Sequence, residues 1–314
     1  MDLSRIIHVV GPVFILLALG YFAGRTKQFD NDQMRGLSLL VLRYAMPAAV
    51  FLGMAHFDRD LLVQQGPLVI VMLFFYSGLF VLGYGLLLMM KQQPLRSALI
   101  SYACTSKAAT VYGLVVLVQL FGTDLGRAMV GLCALIMNLT QLSVAVYLFK
   151  SASADGGERP SIISAIRRTA LDPLVVAPAL GAVVALSGYK LPFLVSDVLE
   201  PLAQSAGAVA IFAAGLGMAT FRLQFGSPVI AVGGLINLVV IPALFFGLLV
   251  LFGISGPVAQ AAFMVCMLPV GTKALLFAEV YEEEEGEAAS MLLLTSLALV
   301  VTIPIGIEVS HFLA

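Results

Sequence analysis

Long apolar runs separated by short polar breaks recur from one end of this 314-residue chain to the other. Each is about 20 residues, the length an α-helix needs to cross a hydrocarbon core of roughly 30 Å. Water is absent from that core, so only structures that satisfy their own backbone N–H and C=O groups can span it, which leaves helices and closed barrels. A barrel would show shorter segments alternating in and out. These runs are continuous, which predicts an all-α polytopic membrane protein. Composition agrees, because only 11% of the residues are charged and 61% are apolar, whereas about a quarter are charged in soluble domains.

Ten windows fit a span, near residues 6–24, 34–55, 67–90, 96–121, 127–149, 172–188, 197–220, 228–252, 257–281 and 288–310. The polar stretch "KSASADGGERPS" divides them five and five. This predicts a first repeat over 1–150, a cytoplasmic linker over 151–171 and a second repeat over 172–314. An odd number of spans per unit makes the two units face opposite ways, the inverted-repeat design of secondary transporters. Internal echoes point the same way, such as "AMPAAVFLGMAHF" in the second span and "GAVAIFAAGLGMATF" in the seventh.

Orientation follows from the short-loop cations. Arg25, Lys27, Lys91, Arg96, Lys150, Arg159, Arg167, Arg168 and Arg222 fall on one side; Arg5, Arg59, Arg127 and Lys190 fall on the other. The first side is predicted to be cytoplasmic, with both termini outside and the run "EEEEGE" (282–287) a solvated cytoplasmic hairpin. The first apolar run lacks a small-x-small cleavage site and ends in Arg25 and Lys27. It therefore reads as a retained helix rather than a signal peptide.

Two lysines stand where lipid should be. Lys107 lies in "CTSKAATVYG" and Lys273 in "LPVGTKALLF". From the nearest cytoplasmic charges, Arg96 and Glu282, helical rise places them roughly 16 and 14 Å deep, near mid-membrane and on helices running in opposite directions. Each sits in helix-weakening sequence: Thr105, Ser106 and Thr110 around the first, and Pro269, Gly271 and Thr272 around the second. Pro269 removes a backbone donor and Gly271 loosens the next residues, so the ninth span should break at about 268–272. The fourth has no proline at that point. Helix ends exposed in mid-membrane carry about half a unit charge each. If two broken helices cross, a lysine can neutralise the carbonyl ends as sodium does in many such carriers, and the N-terminal ends suit an anion. Either the lysines are fixed counter-charges or at least one touches substrate. A buried amine is also a candidate carrier of a coupled proton.

Other polar residues at depth are Asn138, Thr140 and Gln141 on the fifth span and Asn237 on the eighth. Hydrogen bonding between helices is an equal explanation for them. Arg43 is partly immersed by position. Pro47 and Pro242 should kink or break their spans. Cys104, Cys133 and Cys266 stand singly, and His8, His56 and His311 are scattered, so no metal or cofactor site is expected. There is no basic block for nucleic acid, no P-loop and no clustered catalytic constellation, so the chain does not read as an enzyme. No paired carboxylates lie at mid-membrane, and Glu279 and Asp172 both fall near predicted span ends.

Five stretches resemble the auxin efflux carrier family: "LSLLVLRYAMPAAVFLGMA", "DPLVVAPALGAVVALSGYKLP", "PLAQSAGAVAIFAAGLGMAT", "NLVVIPALFFG" and "MLPVGTKALLFAEVYEEEEGEAASMLLLTSLALVVTIPIGI". The resemblance covers nearly the whole chain and suits the bacterial, malonate- or malate-carrier-like branch. It implies ten helices in a five-plus-five inverted repeat, as in sodium/proton antiporters and bile-acid symporters, with crossing helices at spans four and nine. It also implies elevator movement, homodimers and an organic-anion substrate. Two departures touch the implied site. The family often shows a Gly-Asn pair and a later proline in span four, where this chain reads "SKAATVYGLVV", and commonly has asparagine where Lys273 stands.

The expectation is a sodium-independent secondary active transporter of a small mono- or dicarboxylate, multi-pass in a bacterial inner membrane, with protons as the coupling ion. Substrate would meet Lys107, Lys273, Thr105, Ser106, Thr110, Thr272, Gly271, Asn138 and Gln141, with Pro269 and Pro47 as helix breaks. The alternatives are a cation/proton antiporter on the same fold and a membrane sensor that binds without transport.

Overall fold

The computed structural model describes residues 3–153, 161–220, 224, 226–281 and 285–314, with the backbone alone at 3–8, 31, 168, 220, 279 and 285. Among these residues every regular element is helical. Helix α1 (Leu3–Arg25) leads to α2 (Asn31–Leu40), which passes through a π turn (Val41–Ala45) into α3 (Met46–Ala55). Then come α4 (Arg59–Gln64), α5 (Gly66–Met89), α6 (Pro94–Thr105) and α7 (Gly113–Phe121). Helix α8 (Thr123–Met137) runs through a second π turn (Asn138–Leu142) into α9 (Ser143–Ser153). After α10 (Ile162–Ala170) come α11 (Pro173–Ser187) and α12 (Phe193–Thr220). Helix α13 (Pro228–Leu235) leads through a third π turn (Ile236–Val240) into α14 (Ile241–Leu251). The chain closes with α15 (Pro257–Cys266), α16 (Thr272–Val280), α17 (Glu285–Leu297) and α18 (Leu299–Ser310).

Among the described residues five helices are long and apolar enough to cross a membrane: Asp32–Ala55, Gly66–Met89, Thr123–Ser153, Phe193–Ala219 and Pro228–Leu251. A sixth qualifies if α17 and α18, bent by 56°, count as one span. The predicted spans four and nine are each a pair of short helices, α6 with α7 and α15 with α16, separated by non-helical residues. No half is long enough to cross alone.

Side chains at the helix ends explain where these helices start and stop. Asp30 caps α2 with a reciprocal Gln33 contact, and Asp58, Ser161, Asp172 and Ser227 each accept from a first-turn N–H of the next helix. Lys27 and Lys91 end α1 and α5 in the left-handed conformation usually left to glycine. Both bring positive charge to a helix C-terminus. Helix α1 lies along α12 at glycine-level distance: a methyl on Gly20 would come within 2.1 Å of Phe212 O, and one on Gly215 within 2.3 Å of Leu17 O.

One expectation changes here. Pro47 does not break its helix. The π turn just before it absorbs the missing donor and the ring's bulk, and Asp32–Ala55 runs on as one helix. Within the 151–171 stretch, α10 occupies 162–170, with Ile162, Ile163 and Ile166 exposed on its surface. The segment 154–160 of that linker lies outside the described residues, as do Arg222 and the acidic positions 282–284.

Candidate functional site

The two interruptions meet. Helix α6 ends at Thr105 and Ser106 is extended, so the chain turns out of the helical path where Thr105 Oγ1 donates back to Ser101 O at 2.8 Å. Helix α15 ends at Cys266, three residues before Pro269. Lys107 and Val270 then pair as an antiparallel bridge. Ala108 N–H donates to Pro269 O (3.0 Å) and Gly271 N–H donates to Ser106 O (3.2 Å). Backbone groups that lipid could not satisfy are therefore satisfied by the other break. Gly271 is required by this approach, since a methyl there would stand 2.8 Å from Ser106 Oγ and 3.0 Å from its Cβ.

The two bonds are reciprocal and exchange 106 with 269, 107 with 270 and 108 with 271. That local symmetry sets which residues of the two interruptions correspond. Lys107 corresponds to Val270, and Lys273 corresponds to Thr110. Lys107 lies within its interruption, beside the carbonyl ends of α6 and α15. Lys273 lies in the first turn of α16, at a positive helix end.

Their partners differ accordingly. Lys107 is 6% exposed, and its Nζ donates to Asn237 O (2.6 Å), Asn237 Oδ1 (2.8 Å) and Leu268 O (3.3 Å). Three acceptors match the three N–H groups of an ammonium, so none is left for a ligand. Asn237 completes the clamp: its Nδ2 donates to Cys104 O (2.9 Å) and Ser106 O (3.3 Å) at the end of α6. The free carbonyl of Asn237 has a local cause. In the π turn Ile241 N–H bonds to Ile236 O, so the next carbonyl, that of Asn237, would need the N–H of residue 242. Residue 242 is proline and has none, which leaves Asn237 O to the lysine.

Lys273 is partly buried and donates to one acceptor, Asn138 Oδ1 at 2.8 Å. Among the described residues its other N–H groups have no acceptor. Asn138 lies on the π turn of the α8–α9 helix, and its Nδ2 makes no hydrogen bond among the described residues. On the same turn, Gln141 Nε2 donates to Thr105 Oγ1 at 2.9 Å and so ties that turn to the end of α6. Ser106 Oγ is buried without a hydrogen-bond partner among the described residues, packed against Gly271 at the entrance to α16. Thr110 and Thr272 are partly buried and make no side-chain hydrogen bond among the described residues. Arg43 is exposed.

Two further polar groups carry no signal in the sequence. Arg127, assigned to a loop by its position, is 7% exposed and forms a bidentate pair with Glu200 on α12 (2.8 and 2.9 Å). Glu287, read as part of a solvated hairpin, is 8% exposed on α17 and bonded to Ser227 Oγ. Neither has a motif; each is visible only once distant helices are packed. The nearest sequence signal for the Lys107 clamp is "NLVVIP", which joins Asn237 to Pro242.

Comparison with known proteins places the whole chain. The family described as "Membrane transport protein" matches residues 5–307. "Uncharacterized transporter YfdV" of Escherichia coli (strain K12) is 27% identical over 305 residues, covering 96% of this chain and 97% of that one. The protein of the same name in Shigella flexneri matches equally. "Putative malonate transporter" of Rhizobium meliloti (strain 1021) is 25% identical over 326 residues, covering 96% and 94%.

Proposed function

The chain belongs to the membrane transport protein family, that of the auxin efflux carriers, and on that premise we propose that it is a secondary active transporter of a small organic anion. The observation that carries this reading is the pairing of a saturated lysine with an unsaturated one at a crossing of two broken helices. Lys107 holds the carbonyl ends in place of a metal cation, which supports sodium independence. Lys273 adds a partly occupied ammonium to the positive first turn of α16, where Asn138 Nδ2, Ser106 Oγ and Thr272 Oγ1 are further donors to a carboxylate.

In this reading the ten predicted spans form two five-helix units over 1–150 and 172–314, joined by the 151–171 linker. Both termini face outward from a bacterial inner membrane. The crossing helices move as a body against α1, α3, α11 and α12 in an elevator step, and two copies assemble as a dimer. Protons are the coupling ion, and the chain is a carrier rather than an enzyme. A dicarboxylate is the first substrate class to try, because a relative of comparable length bears a malonate-transporter name.

The test is a thermal-shift screen of carboxylates on purified protein, with and without sodium, and then uptake into liposomes. Malonate or a related acid should raise the melting temperature of wild type without sodium, and raise that of Lys273→Gln less at the same concentration. A ligand that stabilises both equally would remove Lys273 from the site. Tight binding without uptake would make the protein a sensor, and cation-driven proton flux without any organic anion would make it an antiporter.

A further inference from the structure

A small cavity opens between α6, α13, α16 and α17, beside the crossing. Ala103 lines it two residues before Thr105, and Ala274 lines it next to Lys273. Its interior is about 10 Å³, room for about one water. The remaining wall is apolar, from residues such as Ile100, Val229, Ala278 and Met291, with one exception. That exception is Glu287. A carboxylate facing an apolar, water-sized cavity is an expensive arrangement unless something binds to it.

The hydrogen bonds identify the open oxygen. Ser227 caps α13, and its Oγ accepts from Val229 N–H at 3.3 Å, so its own proton points to Glu287 Oε1. Glu287 Oε2 is buried without a hydrogen-bond partner among the described residues. No metal-binding group of three or more His, Cys, Asp or Glu exists among the described residues. The cavity beside this oxygen has room for about one water, and from that water a lone carboxylate oxygen can take a proton. Lys107 is a poor alternative carrier, because neutralising it would leave one of three acceptors unmatched.

We propose that Glu287 is the proton-binding site of this carrier, loading at Oε2 through the cavity that adjoins α16 and hence the helix bearing Lys273. A hydronium ion reaching the cavity gives its proton to Oε2: one of its O–H bonds breaks, the carboxylic O–H forms and water is left, while Ser227 continues to donate to Oε1. The surrounding elements carry other ionisable groups, and Gln224, whose backbone N–H donates to Ser290 Oγ on α17, is preceded two positions earlier in sequence by Arg222. Helix α6 has Arg96, Tyr102 and the Cys104 thiol, α13 has none, α16 has Lys273 and, by sequence, Glu279, and α17 has Glu285 by sequence. Of the ionisable side chains described on these helices, Glu287 alone lines the cavity. The inference rests on the transporter reading only for what the proton accompanies.

Infrared difference spectra of the full chain in lipid nanodiscs, taken between alkaline and acid pH, test the site without any substrate. Wild type should show a protonated-carboxyl C=O band that shifts in D2O and is lost in Glu287→Gln. Ser227→Ala should keep the band and move its frequency, which carries the assignment if Glu287→Gln folds poorly. A band that survives Glu287→Gln unchanged, or its absence from wild type, overturns the proposal. In liposomes, an imposed proton gradient should speed malonate uptake severalfold in wild type and have no effect in Glu287→Gln; equal gradient-driven uptake in both also overturns it. If wild type neither binds nor moves malonate, the anion reading fails at that probe, and the infrared result alone decides the proton site.

Discussion

Lys107 and Lys273 share a crossing, yet one is saturated and the other is not. Lys107 has an acceptor for every N–H and is held by a residue 130 positions away. Lys273 has one acceptor among the described residues, 135 positions away, and stands where a helix begins rather than where helices end. The same ammonium is thus a structural ion in one place and an open charge in the other. Depth explains why both are costly; only the polarity of the nearest helix end explains their different uses.

The largest contrast should appear in stability. Lys107→Met leaves Leu268 O and both Asn237 acceptors unmatched in a dry interior, costing on the order of 3 kcal/mol or more. Lys273→Met gives up one partly buried bond, about 1 kcal/mol or less. Melting of the purified variants measures the pair, and equal losses would end the distinction. Next comes the crossing itself. Gly271→Ala should cost roughly 1–3 kcal/mol by pushing the two interruptions apart, read from the same melting curves. Adding Ser106→Gly should restore most of that, because the clash is with the serine side chain. Smaller again is the effect on ligand. Lys273→Gln should weaken carboxylate binding by about tenfold, or 1.4 kcal/mol, in an isothermal titration. Asn237→Leu should affect binding only through loss of folded protein. The smallest change is Asn138→Ala, which removes an acceptor from Lys273 and a donor from the site together; a change under about threefold, 0.6 kcal/mol, is expected in the same titration.

Much of this architecture is legible in the chain. The break over 267–271 lies within a residue of the one expected from Pro269 and Gly271, and Asp172 caps a helix at the predicted span end. The fourth-span break has weaker local cause, since serine and threonine only loosen a helix, and it forms because the ninth-span loop supplies its hydrogen bonds. Pro47 departs from expectation for a physical reason: a proline breaks a helix unless the preceding turn widens, and a π turn does that. The same kind of turn before Pro242 has a constructive effect, since it presents the carbonyl that holds Lys107. Arg127 and Glu287 look like loop charges because position near a span end says nothing about what covers it.

The amino-acid chain by itself dictates the solvent: runs of about 20 apolar residues can only be membrane helices, and two charges and a proline inside them mark where regularity must fail. Tertiary packing governs how each failure is repaired. A buried charge is stabilised by particular donors and acceptors at bonding distance, and these arrive from helices more than a hundred residues away. Their direction, carbonyl end or amide end, is set by how the helices cross and is written in no local stretch of the chain.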